Sequence, residues 1–201
     1  MVANQPPQAK TALRRELLAA RRALSPDVLR DRARALSRSA LELPELSGSR
    51  TVAAYVSIGS EPGTRELLDA LRASGKRVLL PVLLPDNDLD WAAYEGPGSL
   101  AEAAHPGKMK LLEPAGPRLG PDAVSGADAV LLPGLAVDRR GMRLGRGGGS
   151  YDRVLERLER AGAHPALVVL LYDHEVVARV PEEPHDHPVR AVATPSGVVR
   201  F

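Results

Sequence analysis

Apolar and polar positions alternate along the chain in two different rhythms. Over residues 9–24 the apolar positions recur at helical spacing, with Leu13, Leu17, Ala20 and Leu24 on one stripe. Ser25-Pro26-Asp27 then restarts the chain with an N-cap, a proline at the first helical position and a first-turn acid. A second helix is expected to about Leu43, ended by Pro44 and Gly48. From Thr51 the rhythm changes. Residues 51–58 (TVAAYVSI) predict a strand, and Thr64 stands where it can cap a helix running to about Ser74, stopped by Gly75. Residues 77–84 (RVLLPVLL) are almost continuously apolar, the pattern of a strand buried on both faces. LDWAAY and MKLLEP predict shorter strands, and ADAVLLPG, ALVVLLY and RAVAT predict further buried ones. A helix from about Tyr151 to Ala161 separates the two long apolar runs. This alternation predicts an α/β fold with a mainly parallel sheet covered on both sides. A single domain is expected over 1–201, with an N-terminal helical pair at about 9–43 and the α/β sheet at about 51–201.

Composition narrows the chemistry. At 44% hydrophobic but only 3% aromatic, the core must be built from Leu, Val and Ala. The absence of cysteine excludes disulfides, thiolate nucleophiles and Cys–zinc sites. No stretch approaches the ~20 uncharged apolar residues of a membrane span, and residues 1–10 lack the apolar run of a secretory signal. A cytoplasmic protein with no membrane partner is expected. The net charge of +2 decides little, because the basic residues are spread among acids and aromatics are scarce. No nucleic-acid partner is expected on that ground.

The informative stretch runs from Leu131 to Arg153. Asp138-Arg139-Arg140-Gly141 reads as a tight turn, and Gly145-Arg146-Gly147-Gly148-Gly149-Ser150 leads into the helix near Tyr151. Glycines let backbone N–H groups approach an anion, and a helix N-terminus adds unpaired donors and a positive dipole end. Arg143 and Arg146 add charge in a form that matches phosphate oxygens. Asp152, in the first helical turn, would repel phosphate unless a cation lay between them, and Mg²⁺ suits one or two carboxylates plus phosphates. A bare glycine cluster also fits a hairpin that only turns a corner. The two arginines, the following helix and the acid favour phosphate. The standard motifs do not fit: there is no G-x-x-x-x-G-K-[ST], a dinucleotide fingerprint fails at Ser150, and a hydrolase elbow fails at Asp152.

Residues 133–153, PGLAVDRRGMRLGRGGGSYDR, resemble the signature of the 5-formyltetrahydrofolate cyclo-ligases, approximately P-G-x-x-F/V-D-x-x-G-x-R-L-G-x-G-x-G-x-Y-D. Lys10-Thr11-Ala12-Leu13-Arg14 is similar to the family's K-x-x-L-R. Ala54-Tyr55-Val56-Ser57 with Glu61 and Thr64, His185-Asp186, and Ala193-Thr194-Pro195 extend the resemblance over almost the whole chain. It implies a Rossmann-like three-layer α/β/α sandwich. It also implies conversion of 5-formyltetrahydrofolate and ATP to 5,10-methenyltetrahydrofolate, ADP and phosphate, with Mg²⁺ as cofactor and a monomer expected.

By the same resemblance, Lys10, Arg14 and the run Arg143, Leu144, Gly145, Arg146, Gly147, Gly148, Gly149, Ser150 and Tyr151 would bind ATP. Val56, Glu61 and Arg146 to Ser150 would contact the folate. Asp152 and Asp186 would share Mg²⁺, and Arg143, Arg146 and Asp152 would carry catalysis. From the residues alone, Lys10 and Arg14, at i and i+4, also fit a solvated basic face. Three positions depart from the family pattern: Arg146 and Ser150 stand where tyrosines are common, and Glu175 stands where a glutamine is expected.

Two readings from other classes compete, a non-catalytic ATP-sensing module and a sugar-phosphate isomerase or acyl-CoA-type enzyme. Dependence on ATP for turnover separates them from the ligase. His185-Asp186-His187 offers a weak zinc pattern, since three successive residues of an extended strand cannot all face one ion. Trp91 and Tyr94 read as packing, and His105 and His164 have no evident partner in the sequence.

Overall fold

The structure, a computed structural model, describes residues 6–106, 110–184 and 186–201. Met109 of the expected MKLLEP strand, His185 of the zinc pattern and residues 1–5 of the N-terminus lie outside them. The chain opens with α1 (Pro6–Arg22), α2 (Pro26–Leu41) and a single turn, α3 (Pro44–Ser47). Ser25 caps α2 by accepting from the Val28 amide, as the Ser-Pro-Asp restart predicts. Pro44 does not merely end the second helix; it takes the first position of α3, where its missing N–H costs nothing.

The sheet begins with β1 (Thr51–Ala53), followed by α4 (Arg65–Ala73), β2 (Arg77–Leu83) and β3 (Leu89–Ala93). A hairpin of β4 (Leu100–Ala103) and β5 (Leu111–Pro114) stands apart from it. Then come β6 (Ala129–Pro133), β7 (Ala136–Asp138), β8 (Arg143–Leu144), α5 (Ser150–Arg160) and β9 (Ala166–Leu170). The chain closes with β10 (Val176–Val177), β11 (Ala191–Thr194) and β12 (Gly197–Arg200). Among the described residues, seven strands form the main sheet in the order β12-β11-β9-β6-β1-β2-β3. All its neighbours are parallel except the edge pairs β2–β3 and β11–β12.

Burial alternates along the central strands. Val52, Val78, Leu80, Leu131, Val168 and Leu170 pack under α2 and α4, while Ala53, Leu79, Val130, Leu132 and Val169 pack against α5. This is why β2, β6 and β9 read as unbroken apolar runs, since a strand with helices on both faces has no polar side. The result is the expected α/β sandwich with a mainly parallel sheet. A small sheet, β10-β7-β8, carries a third apolar cluster on which α1 docks through Leu17.

The 51–58 strand is shorter than its pattern predicts. After Ala53 only the Ala54 amide still donates to the neighbouring strand, at the Leu79 carbonyl, and the chain then leaves the sheet. Thr64 takes the N-cap position of α4, but its side chain makes no capping hydrogen bond. Its hydroxyl donates to the Tyr55 carbonyl and accepts from the Ser57 amide, closing the loop that follows β1. The sequence pattern also passed over β4, β7, β8, β10 and β12, each too short to show a period.

Candidate functional site

β1 lies inside the sheet, with β2 on one side and β6 on the other, so successive connections diverge there. Ligands of open parallel sheets bind outside the carboxyl ends of strands at such a switch point. The structure has a cavity of about 470 Å³ at that place. Tyr55, Val56, Ile58 and Glu61 from the loop after β1 line it, with Pro81 and Leu83 at the end of β2 and Pro133-Gly134 at the end of β6. Leu111 and Leu112 of the outlying hairpin close another wall. The walls are mostly apolar and wide enough for a fused-ring ligand.

A smaller cavity of about 200 Å³ adjoins it, lined by Lys10, Arg14, Leu144, Glu183 and Asp186. Arg143, Gly145, Gly147 and Asp152 line both. The glycine run therefore forms the partition. Gly147 has φ +92° and Gly149 has φ +78°, a conformation that side-chain-bearing residues adopt only under strain. Gly149 is the N-cap of α5, so Ser150 and Tyr151 enter the helix at the cavity edge. Ser150 starts the helix, and Tyr151 packs against the core on the α5 side of the sheet while lining the large cavity.

Helix α1 delivers cations. Lys10 is 5% exposed and Arg21 only 1%, so the face that docks carries charge as well as Leu17. The apolar stripe expected at Leu13, Leu17, Ala20 and Leu24 accounts for only part of that face. The Lys10 ammonium donates to Glu183 and Asp186, each at 2.7 Å. Burial works against its charge, but those two carboxylates outweigh it and raise its pKa. Arg14 donates from Nε to the Gly145 carbonyl at 2.9 Å, and its guanidinium lies beside Gly147. Lys10 and Arg14 thus line one cavity.

Arg143 is buried. It donates to the Pro133 carbonyl at 3.0 Å and to Asp152 at 3.1 Å, while its Nε has no partner among the described residues. Burial, only partly offset by Asp152, lowers its pKa. Asp152 is half exposed and open to both cavities. Arg146 reaches back from the glycine run to Glu61, with Nε 3.5 Å from the carboxylate. Glu61 accepts from the Ile58 amide at 2.9 Å and is 8% exposed. Burial raises its pKa against the pull of that hydrogen bond and of Arg146.

Two residues that sequence reasoning left without a role prove to be joined. Glu175 is fully buried and receives Arg21 at 2.6 and 2.9 Å. A glutamine at 175 would offer one oxygen to a guanidinium fork and leave its charge unmatched, which accounts for the acid at this position. The only hint in the sequence was the Glu itself. His105 has a partner after all, with Nε2 2.7 Å from Glu113. Trp91 is core, and Tyr94 packs there while donating to Asp69 at 2.6 Å. Among the described residues no group of three or more His, Asp or Glu side chains is arranged to hold a metal ion.

A mainly parallel sheet with joined cavities at its strand ends defines an α/β protein of the doubly wound class. The chain belongs to the 5-formyltetrahydrofolate cyclo-ligase family, whose model matches residues 6–195. A 5-formyltetrahydrofolate cyclo-ligase of Mycolicibacterium smegmatis is 43% identical over 199 residues, spanning 96% of this chain and 97% of that one. One of Escherichia coli is 33% identical over 180 residues, spanning 89% and 96%. The NMR structure of Aquifex aeolicus 5,10-methenyltetrahydrofolate synthetase shares the fold with a TM-score of 0.78 at 29% identity, covering 95% of this chain and 92% of that one.

Proposed function

We propose that this chain, acting as one domain, cyclises 5-formyltetrahydrofolate to 5,10-methenyltetrahydrofolate at the cost of ATP, releasing ADP and phosphate. The observation that carries the reading is the shared wall. The large, mostly apolar cavity suits the folate ring system, the small charged one suits phosphates, and Arg143, Gly145, Gly147 and Asp152 belong to both.

The chemistry needs that adjacency. N10 of the folate cannot expel the formyl oxygen as hydroxide. The formyl oxygen therefore attacks the γ-phosphorus and ADP leaves. N10 then closes on the formyl carbon, loses its proton, and phosphate departs with the former formyl oxygen. The protein's task is positioning and electrostatic stabilisation, with no side-chain nucleophile. Lys10 and Arg14 hold the phosphates from α1, and the amides of Gly145 to Ser150 hold them from the partition. Arg143 and Arg146 face the transferring group. Val56 and Glu61 hold the pterin, the Glu61 carboxylate accepting from ring N–H groups. Tyr151 closes the floor.

Asp152 and Asp186 fit Mg²⁺: both are hard oxygen donors on the small cavity, and a two-carboxylate set suits a cation that takes its other ligands from phosphate and water. Bound there, Mg²⁺ would neutralise phosphate charge. The protein would work as a cytoplasmic monomer; no helix of the described residues is long and apolar enough to cross a membrane.

The test is absorbance in the methenyl-folate band after mixing protein, Mg·ATP and (6S)-5-formyltetrahydrofolate, with ATP or Mg²⁺ omitted in controls. A rise that requires both is expected. A rise without ATP, or ATP binding with no rise, would refute the reading.

A further inference from the structure

Three turns along α1 from Lys10, and on the same side of the helix, Arg21 enters the interior. Its Nε and one terminal nitrogen grip the two oxygens of Glu175, and the same terminal nitrogen donates to the Gly134 carbonyl at 2.7 Å. Glu175 also accepts from the Tyr172 amide at 2.9 Å, so every oxygen of the pair is used. The Tyr172 ring lies 5.7 Å from the Arg21 guanidinium, and its hydroxyl donates to the Ser60 carbonyl at 3.1 Å, next to Glu61. Burial disfavours the Arg21 charge, yet the Glu175 hydrogen bonds and charge raise its pKa.

Gly134 is half of the Pro133-Gly134 turn at the end of β6, which lines the large cavity. Arg143 holds the Pro133 carbonyl and Arg21 holds the Gly134 carbonyl. One fixed dipeptide is thus clamped by an arginine of the partition and by an arginine of the phosphate-side helix. Through Tyr172 the same pair reaches the Glu61 loop. Buried ion pairs contribute little net stability over apolar replacements of similar volume, so stability gives weak reason for this one. Its geometry gives a better one.

We propose that Arg21 and Glu175 are a positioning pair for the cyclisation put forward above, on which this inference rests: they align the phosphate-side helix with the strand-end turn and the Glu61 loop. Neither touches the ligands. Lys10 and Arg14 have their own anchors at Asp186, Glu183 and Gly145, so nucleotide binding does not depend on the pair.

The test is the double variant Arg21→Met/Glu175→Gln, which leaves no unmatched buried charge and keeps an acceptor for the Tyr172 amide. Its melting temperature and its Kd for Mg·ATP without folate should stay near wild type, the Kd within about threefold. Its kcat should fall about 10- to 100-fold, the order expected when reacting groups lose alignment by an ångström or less. Arg21→Lys keeps the charge but not the fork, and should fall between. A folded double variant with kcat within about twofold of wild type overturns the positioning role. So does a loss of kcat that only follows the unfolded fraction. Wild-type protein that forms no ATP-dependent product overturns the proposed function itself, and the positioning role with it.

Discussion

Asp138 is the acid of the turn before the glycine run, and replacing it by asparagine tests how that run is held. Its side chain is fully buried. One oxygen accepts from the Arg140 amide at 2.8 Å and the Met142 amide at 3.2 Å; the other accepts from the Val180 amide at 3.0 Å and the Arg140 side chain at 2.7 Å. Asparagine keeps the shape but offers one oxygen, so its NH₂ must face amide donors on one side. An orphaned buried amide costs about 1–3 kcal/mol. The Arg140 side chain is 45% exposed, so its lost pairing adds only about 0.5 kcal/mol.

The sum, roughly 1.5–3.5 kcal/mol, lowers the melting temperature of a chain this long by roughly 3–14 °C. Calorimetry at pH 7 reads it. The Val180 bond also holds the segment leading to Glu183 and Asp186, the partners of Lys10, so ATP affinity should fall as well.

The pH dependence provides an internal control. Burial pushes the Asp138 pKa up, but the Val180, Arg140 and Met142 hydrogen bonds outweigh it and hold the carboxyl below its usual range. With the folded pKa depressed, the stabilisation is present above the unfolded value near ~3.9 and is lost as pH falls through the folded one. The gap between wild type and Asp138→Asn should therefore narrow in acid. A melting shift under about 2 °C at pH 7, or a gap unchanged at low pH, would refute the reasoning.

Glu61→Gln should raise stability at pH 7 while raising the folate KM. Burial raises the Glu61 pKa, so its favourable contribution is present below the unfolded value near ~4.3 and fades as pH rises through the folded one; a variant less stable than wild type at neutral pH would contradict this. Asp152→Asn should lower kcat at least about tenfold at limiting Mg²⁺, a mutational loss of the size seen when one electrostatic group of a reaction site is removed. It should lower stability by about 1 kcal/mol, since Arg143 keeps Pro133 but loses its carboxylate; near wild-type turnover would exclude Asp152 from the site. Gly147→Ala meets nothing closer than 3.4 Å but must adopt φ +92°. A strain of about 1–2 kcal/mol should weaken Mg·ATP by about 5- to 30-fold, and calorimetric titration showing an unchanged Kd would show that the loop binds nucleotide in another conformation.

The parts of this molecule that were legible in the sequence are those whose physics is local. Residues 77–83, 129–133 and 166–170 read as buried strands because a strand with a helix on each face needs apolar residues at every step. The glycine run was legible because positive φ at Gly147 and Gly149 and a following helix N-terminus are written within a few residues. What escaped is non-local. Lys10 and Arg21 look like solvated basic residues because their partners lie 173, 176 and 154 residues away, and hydrophobic periodicity has no symbol for a buried cation. Thr64 looks like a cap because nothing in its neighbourhood announces that Tyr55 and Ser57 will claim its hydroxyl. The same limit explains why Glu175 was only an oddity. An acid buried at the end of the Asp173-His174-Glu175 turn makes sense once the fold brings Arg21 against it, and its charge is then a statement about α1, at the other end of the chain. The glycine run is therefore a local motif, whereas the ion pairs that hold α1 against the rest of the fold are long-range and only the folded chain reveals them.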